Sequence, residues 1–101
     1  MGFYPLDELV EKVTRTKEDL ALQTINGEYL KIQYFDHEAD WHSEDRDEFF
    51  ICLDGTVEFS VEDKNYVMKR GDLIVIEAGK RHRANSSGSV LLSVEPHKKG
   101  R

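Results

Sequence analysis

The spacing of hydrophobic residues changes once along this chain, from a helical period near the amino end to the alternation of β-strands. The helical repeat, at i, i+3, i+4 and i+7, consists of Leu6, Leu9, Val10 and Val13. Pro5 suits the first helical position, and the carboxylates of Asp7 and Glu8 complement the helix dipole in the first turn. The sequence therefore predicts one short helix over residues 5–13, which needs to dock on a sheet to persist.

From residue 20 onward the chain is a series of short apolar stretches with β-propensity, separated by turn signals. The predicted strands cover residues 20–25, 29–35, 48–53, 56–61, 66–68, 73–76, 82–85 and 90–94. Turns are predicted at Asn26-Gly27, at Asp54-Gly55 and over residues 86–89. Because such a rhythm is typical of an antiparallel sandwich or barrel, we predict an all-β fold with a barrel over about residues 20–95.

The composition is that of a small globular domain. A chain of 101 residues suffices for a single hydrophobic core, so we expect residues 1–101 to form one domain. No apolar run approaches the roughly 20 residues that cross a bilayer, and the amino end lacks the order of a secretory signal. The single cysteine, Cys52, is interpreted as a small buried core residue that cannot form an internal disulfide. We therefore expect a cytoplasmic protein without a membrane segment.

The charge distribution argues against a nucleic-acid partner. The formal net charge is −6, whereas nucleic-acid binders need clustered cations. The basic clusters lie at residues 80–83 and in the tail at 97–101, which we interpret, His97 included, as a solvated end. By strand alternation Arg81 and Arg83 point away from the histidine between them, where they either meet an anionic ligand or pair with acidic surface residues. We expect a small-molecule ligand and no nucleic acid.

Two blocks of the chain, at residues 42–55 and 71–85, carry the candidate chemistry. In the first block Glu48 shares a strand face with Phe50 and Cys52. A carboxylate in such an apolar interior is costly unless a cation or strong donors meet it, which favours Glu48 as a metal ligand. The alternative is that Glu48, at the start of its strand, is a surface charge.

Histidines lie on both sides of this carboxylate in the sequence. His42 and Glu44 are two residues apart and project to the same side of an extended segment. His82 follows Gly79, at which the chain can bend back over the sheet. His37 is interpreted as a loop-surface residue, which replaces His42 at the site only if the acidic loop folds inward.

Together the two blocks resemble the two motifs of the cupin superfamily. The first family motif is His-x-His, three or four residues, Glu, six residues and Gly, and it corresponds here to His42, Glu44, Glu48 and Gly55. The second is Gly, five residues, Pro-x-Gly, two residues, His and then Asn, and it corresponds to Gly71, Glu77, Gly79, His82 and Asn85. Only the last spacing departs from the family, because the asparagine arrives one residue early. The resemblance covers a little under half of the chain and implies a cupin-type double-stranded β-helix, or jelly-roll, barrel.

The resemblance also implies that His42, Glu48 and His82 ligate a divalent metal ion inside the barrel. The family's second histidine is Glu44 here, and its proline is Glu77. Glu44 either ligates too, giving a two-His, two-carboxylate site, or turns away and leaves a two-His, one-carboxylate face. The latter suits ferrous iron, whereas the former also accepts manganese, nickel or zinc. A third reading is a degenerate site without a metal.

These readings lead to different functions. A metal site favours an enzyme acting on a small molecule, although cupins include isomerases, dioxygenases, decarboxylases and epimerases, so the fold does not select a reaction. A metal-free site favours a non-catalytic protein that binds a small molecule or a sugar. The resemblance further implies a homodimer, for which the strand at residues 20–25 is expected to offer an exposed edge.

Overall fold

The computed structural model of this protein describes residues 1–96, so the tail at 97–101, His97 included, lies outside the described residues. The elements in chain order are α1 (Leu6–Thr16), β1 (Leu20–Ile25), β2 (Glu28–Phe35), β3 (Glu48–Val61), β4 (Lys64–Lys69), β5 (Leu73–Ile76) and β6 (His82–Pro96). All strand pairs are antiparallel, in the order β1-β2-β6-β3-β4, with β5 also paired to β3. The prediction of an all-β fold with one short helix is confirmed.

The two longest strands, β3 and β6, hold the barrel together. β6 pairs with β2 along one edge and with β3 along the other. β3 pairs with β5 over residues 48–51 and with β4 over residues 56–61, so the two halves of β3 lie in opposite walls. Between the walls lies the main core, formed by Phe35, Phe50, Cys52, Val57, Phe59, Met68, Ile76 and Leu91.

The turns predicted at Asp54-Gly55 and over residues 86–89 are wrong, because β3 and β6 run through them. Gly55 and Gly88 meet at this point of the ladder, where a Cβ on Gly55 would overlap the carbonyl oxygen of Gly88. Gly55 also has a φ of 78°, which glycine adopts without steric cost. Two bulges interrupt the β3–β6 ladder here, and the buried positions of β3 change from even to odd residue numbers. The glycines therefore mark a bend between the walls of the barrel.

The helix docks on the outside of the sheet, as its amphipathic pattern predicts. It begins one residue after Pro5 and continues to Thr16, past the predicted end at residue 13. Lys17 closes it in the left-handed conformation, and its N–H donates to the carbonyl of Val13 at 2.7 Å. The side chain of Val13 is buried with Ile32 and Val90 in a second, smaller core. Among residues 1–96, α1 included, no helix has the length and hydrophobicity that a membrane crossing requires.

Candidate functional site

The structure brings the two sequence blocks together through a backbone pairing between His42 and His82. The N–H of His42 donates to the carbonyl of His82 at 3.0 Å, and the reciprocal bond is 2.8 Å long. The centroids of the two imidazole rings are 4.3 Å apart. His82 is the first residue of β6, and Glu48 is the first residue of β3, so strand starts position both buried groups of the site.

The four candidate side chains form two pairs that differ in exposure. The Oε1 atom of Glu48 lies 3.4 Å from Nε2 of His82, and these side chains are only 7% and 3% exposed. The Oε2 atom of Glu44 lies 3.6 Å from Nε2 of His42, and those side chains are 36% and 46% exposed. The interpretation of Glu48 as a surface charge is therefore wrong. One pair faces the apolar interior, and the other faces solvent.

Both imidazoles are oriented by backbone carbonyls. Nδ1 of His82 lies 2.8 Å from the carbonyl oxygen of Lys80, and Nδ1 of His42 lies 3.1 Å from that of Asp40. A carbonyl only accepts, so each Nδ1 carries the hydrogen and Nε2 of a neutral ring has a lone pair. In the buried pair this lone pair meets a carboxylate, which also only accepts. Oε1 of Glu48 is correspondingly buried without a hydrogen-bond partner in the described part of the chain.

A cation between these two acceptors resolves the conflict, and a proton is the simplest one. The pKa of His82 is raised above its ordinary 6.5, first by a side-chain hydrogen bond to Glu48 and against the lowering effect of burial. That hydrogen bond requires a protonated Nε2, and at 3.4 Å it is long. With a neutral ring, Glu48 keeps an unpartnered oxygen. A positive charge between Glu48 and His82 therefore stabilises the buried pair.

A metal ion is the other cation that this pair suits. Divalent iron, manganese, nickel and zinc all bind imidazole nitrogen and carboxylate oxygen as ligands. Among residues 1–96, however, no group of three or more His, Cys, Asp or Glu side chains is arranged to hold a metal ion. The chemistry of the donors and the unpartnered oxygen of Glu48 fit a metal, while the side chains form two pairs that adjoin only through the rings of His42 and His82.

Comparison with known proteins identifies the family. The sequence profile of the cupin domain matches residues 30–94 of the chain. This chain is a cupin. The cupin is 30% identical over 80 residues to the uncharacterized protein YdbB of Bacillus subtilis (strain 168), a match that covers 77% of this chain and 71% of that relative.

Solved structures share the fold of this cupin at lower sequence identity. A cupin-2 domain containing protein from Shewanella frigidimarina has a TM-score of 0.81 at 22% identity, covering 93% of this chain and 94% of its own. Hydroquinone 1,2-dioxygenase PnpCD, solved in complex with Fe3+, has a TM-score of 0.68 at 19% identity, covering 79% of this chain and 28% of its own. The cupin fold that the two motifs predict is confirmed.

Two other candidate residues of the cupin lie away from the paired side chains. His37 is exposed, with its ring centroid 4.5 Å from that of Phe35, so its interpretation as a surface residue is confirmed. Cys52 is fully buried in the main core, also as expected. Burial raises the pKa of the Cys52 thiol above its ordinary 9.0, outweighing the lowering effect of a backbone hydrogen bond to Asp54.

Two hydrogen bonds that the sequence does not predict join the two blocks of the cupin outside their side-chain pairs. Oδ1 of Asp47 accepts from the N–H of Ala78 at 2.8 Å. The N–H of Gly79 donates to the carbonyl of Glu44, also at 2.8 Å. These bonds hold the turn before β6 against the segment before β3. An aspartate beside the motif glutamate is the only sequence signal for the first contact, and nothing in the sequence marks the second.

Proposed function

We propose that this cupin binds a divalent metal ion at the paired side chains and that it binds or converts a small molecule there. Glu48, His82 and His42 would hold the ion, with Glu44 on the solvent side. The observation that carries the proposal is the buried Oε1 of Glu48, which has no hydrogen-bond partner and lies 3.4 Å from Nε2 of His82. A bound divalent ion supplies Lewis acidity or oxygen activation to such a site.

The protein's own groups support ligation by orienting the rings. Hydrogen bonds from Nδ1 to the carbonyls of Lys80 and Asp40 leave both Nε2 atoms available. In metal-binding histidines, a hydrogen bond from the ring nitrogen that does not bind the metal fixes the tautomer and the orientation of the ring. The Fe3+ held by the dioxygenase of similar fold supports testing iron together with manganese, nickel and zinc.

A small molecule would approach from the solvent side of the site. The exposed pair of His42 and Glu44 lies on that side. The cleft of about 470 Å³ beside the start of β3 is lined by Phe49, Val75 and Val94 and opens on the outer face of the sheet, so it is not this approach.

The test is elemental analysis of protein purified without a histidine tag. Wild type is expected to contain a stoichiometric divalent metal, and Glu48→Gln and His82→Ala are expected to lose most of it. His37→Ala is the matched control, because it removes an exposed imidazole outside the site, and it is expected to keep the metal. Unchanged metal content in both Glu48→Gln and His82→Ala would rule out this ligand set.

A second candidate function is non-catalytic binding of a small molecule or sugar at a metal-free site. It is favoured by the separation of the four side chains into two pairs, without a group of three suited to a metal in residues 1–96. Metal content discriminates between the candidates. A bound redox-active ion with an exchangeable water favours catalysis, whereas metal-free protein that still binds a small molecule favours the second function.

We also propose that the cupin forms a homodimer through the uncovered outer face of its barrel. Leu73 and Val75 on β5 are 56% and 51% exposed. They pair with Ile51 and Phe49 of β3. Apolar side chains therefore continue across the part of the outer face that the helix does not cover. β1 ends the strand order and offers the alternative seam.

Light scattering on the purified protein tests the dimer and its seam. Twice the monomer mass is expected for wild type, and Val75→Lys is expected to shift the mass to the monomer. If the Val75→Lys variant remains dimeric, the interface is assigned to β1 instead. A monomeric wild type at micromolar concentration would reject the dimer.

We propose a cytoplasmic location as well, because Cys52 is a free, fully buried thiol and reducing compartments keep cysteines in this state. Fractionation of the source cells is expected to place the protein in the cytoplasmic fraction, and recovery outside it would contradict this.

A further inference from the structure

A cluster of one aromatic and two cationic side chains lies on the outer face of the segments that carry the two histidines. We call Trp41, Arg81 and Arg83 the indole cluster. The guanidinium carbons of Arg81 and Arg83 are 5.9 and 5.2 Å from the centroid of the Trp41 ring. Because each of these residues is next in sequence to His42 or His82, alternation places the cluster on the opposite side of the backbone from the imidazoles.

The two arginines of the indole cluster differ in their partners. Arg83 forms an ion pair of 2.8 Å with Glu38. This agrees with one of the two roles expected for these arginines, pairing with acidic surface residues. No carboxylate in residues 1–96 forms an ion pair with the guanidinium of Arg81, which is exposed. Since guanidinium groups bind carboxylate and phosphate with two parallel hydrogen bonds, Arg81 offers a positive group to an anion.

The indole cluster borders a cleft of about 760 Å³ lined by Trp41, Glu62, Asp63, Gly79 and Arg81. This volume is within the range of small-molecule sites. Glu62 adopts a φ of 54°, which is uncommon for a residue other than glycine. Its backbone N–H donates to the carbonyl of Arg81 at 2.8 Å, so the turn between β3 and β4 is fixed against the arginine. Two carboxylates and one guanidinium therefore share the lining with an exposed indole.

We propose that this cleft binds a sugar that carries one anionic group, a phosphate or a carboxylate. Trp41 lines the cleft together with Arg81 and offers the apolar surface of its ring to the C–H groups of a sugar. The anionic group binds Arg81, and the carboxylates of Glu62 and Asp63 accept hydrogen bonds from hydroxyl groups. Lys80, whose ammonium lies 3.6 Å from the carboxylate of Glu62, adds a second positive charge beside the cleft. Because the cleft uses none of the four paired side chains, this site is independent of metal binding.

Fluorescence tests the site directly, because Trp41 is the single tryptophan of the chain. The protein is titrated in the presence of EDTA with glucose 6-phosphate, glucuronate, glucose and inorganic phosphate. At least one of the two anionic sugars is expected to give a saturable change, with binding about tenfold or more tighter than for glucose or phosphate alone. The tighter of the two identifies the preferred anion. No saturable change with either anionic sugar, or equal binding of phosphate alone, would overturn the proposal.

Variants separate the cleft from the rest of the protein. Arg81→Gln is expected to weaken binding of the anionic sugar by about tenfold or more. Arg70→Gln is the matched control, because it removes an exposed guanidinium outside the cleft, and it is expected to bind as wild type does. The titration is run in the presence of EDTA, so a failure of the metal proposal leaves this result unaffected. Wild-type affinity in Arg81→Gln, with a normal circular dichroism spectrum, would assign the fluorescence change elsewhere.

Discussion

A buried carboxylate oxygen without a hydrogen bond is costly in a folded protein, and Glu48 has one. A positive charge in the space between Glu48 and His82 removes this cost. A proton on His82 serves in the absence of metal, and a metal ion would displace it. Substituting either residue alone therefore changes the protonation or the hydrogen bonding of the other, and both changes can be measured.

Glu48→Gln is expected to lower the pKa of His82 in metal-free protein, because the carboxylate that stabilises the protonated ring is gone. In wild type the folded-state pKa lies above 6.5, so the protonated pair stabilises the fold below pH 6.5, and this contribution is lost as pH rises through the folded-state pKa. As pH rises from 6.5 through the folded-state pKa of His82, the free energy of unfolding should therefore fall less in the variant than in wild type.

NMR titration of the His82 ring and urea unfolding at several pH values, both with EDTA, measure these effects. His37→Ala serves as the control and should keep the wild-type profile. An unchanged His82 pKa in Glu48→Gln would show that the pair does not interact in solution.

The thiol of Cys52 is expected to resist modification in the native protein. It is fully buried, and burial raises its pKa, so little thiolate is available and reagents cannot reach it. Reaction with a thiol reagent such as Ellman's reagent should be about a thousandfold slower than in urea, because it requires opening of the barrel. Comparable rates with and without urea would contradict the burial of this side chain.

At the scale of elements, the bend in the paired strands β3 and β6 shapes the barrel. Each strand would continue straight if its ladder were regular. The bulges and the two facing glycines bend β3 instead, so that its first half pairs with β5 and its second half with β4. This bend brings the start of β3, at Glu48, close to the start of β6, at His82. The site therefore depends on a backbone feature that lies away from its four side chains.

Gly55→Ala is expected to destabilise the fold by about 3 kcal/mol, since the new Cβ would overlap the backbone of Gly88 at a left-handed φ. Gly71→Ala is the matched control. Gly71 also has a positive φ, but a Cβ there meets no atom within 4 Å, so about 1 kcal/mol is expected. Urea unfolding measures both changes in the free energy of unfolding. Equal losses would show that the close approach of Gly55 and Gly88 contributes nothing.

At the scale of the whole molecule, the proposed metal site would link metal binding to folding, because its residues come from separate elements. Any ion that binds the folded barrel and not the unfolded chain raises its stability, by about 2.7 kcal/mol at a concentration 100 times the Kd. Ligand sites that share imidazole with protons also lose affinity as pH falls. The raised pKa of His82 makes this competition effective at mildly acidic pH.

The melting temperature is therefore expected to rise when ferrous iron, manganese, nickel or zinc is added to EDTA-treated wild type, and the rise should shrink below pH 6.5. Thermal unfolding followed by circular dichroism measures it. Glu48→Gln should show little of the rise, while His37→Ala should show all of it. No shift with any of the four ions would favour the metal-free function.

The sequence by itself determined the class of fold and the composition of the site. Period-two alternation and the two motifs predicted the barrel, and the repeat from Leu6 to Val13 predicted the helix, because these patterns depend on local geometry and on residues nearby in the chain. Alternation also placed Glu48 on the same face as Phe50 and Cys52, and those three residues are buried together.

Only the tertiary structure decided how these pieces meet. Asp54-Gly55 has the composition of a turn, yet it continues a strand, because the glycine is needed for contact with Gly88 across the sheet and not for a reversal of the chain. In the same way, spacing could not show whether Glu48 faces solvent or His82. That answer depends on a bend and a pairing between residues 34 positions apart, which is a matter of packing across the barrel and is not encoded in any local pattern.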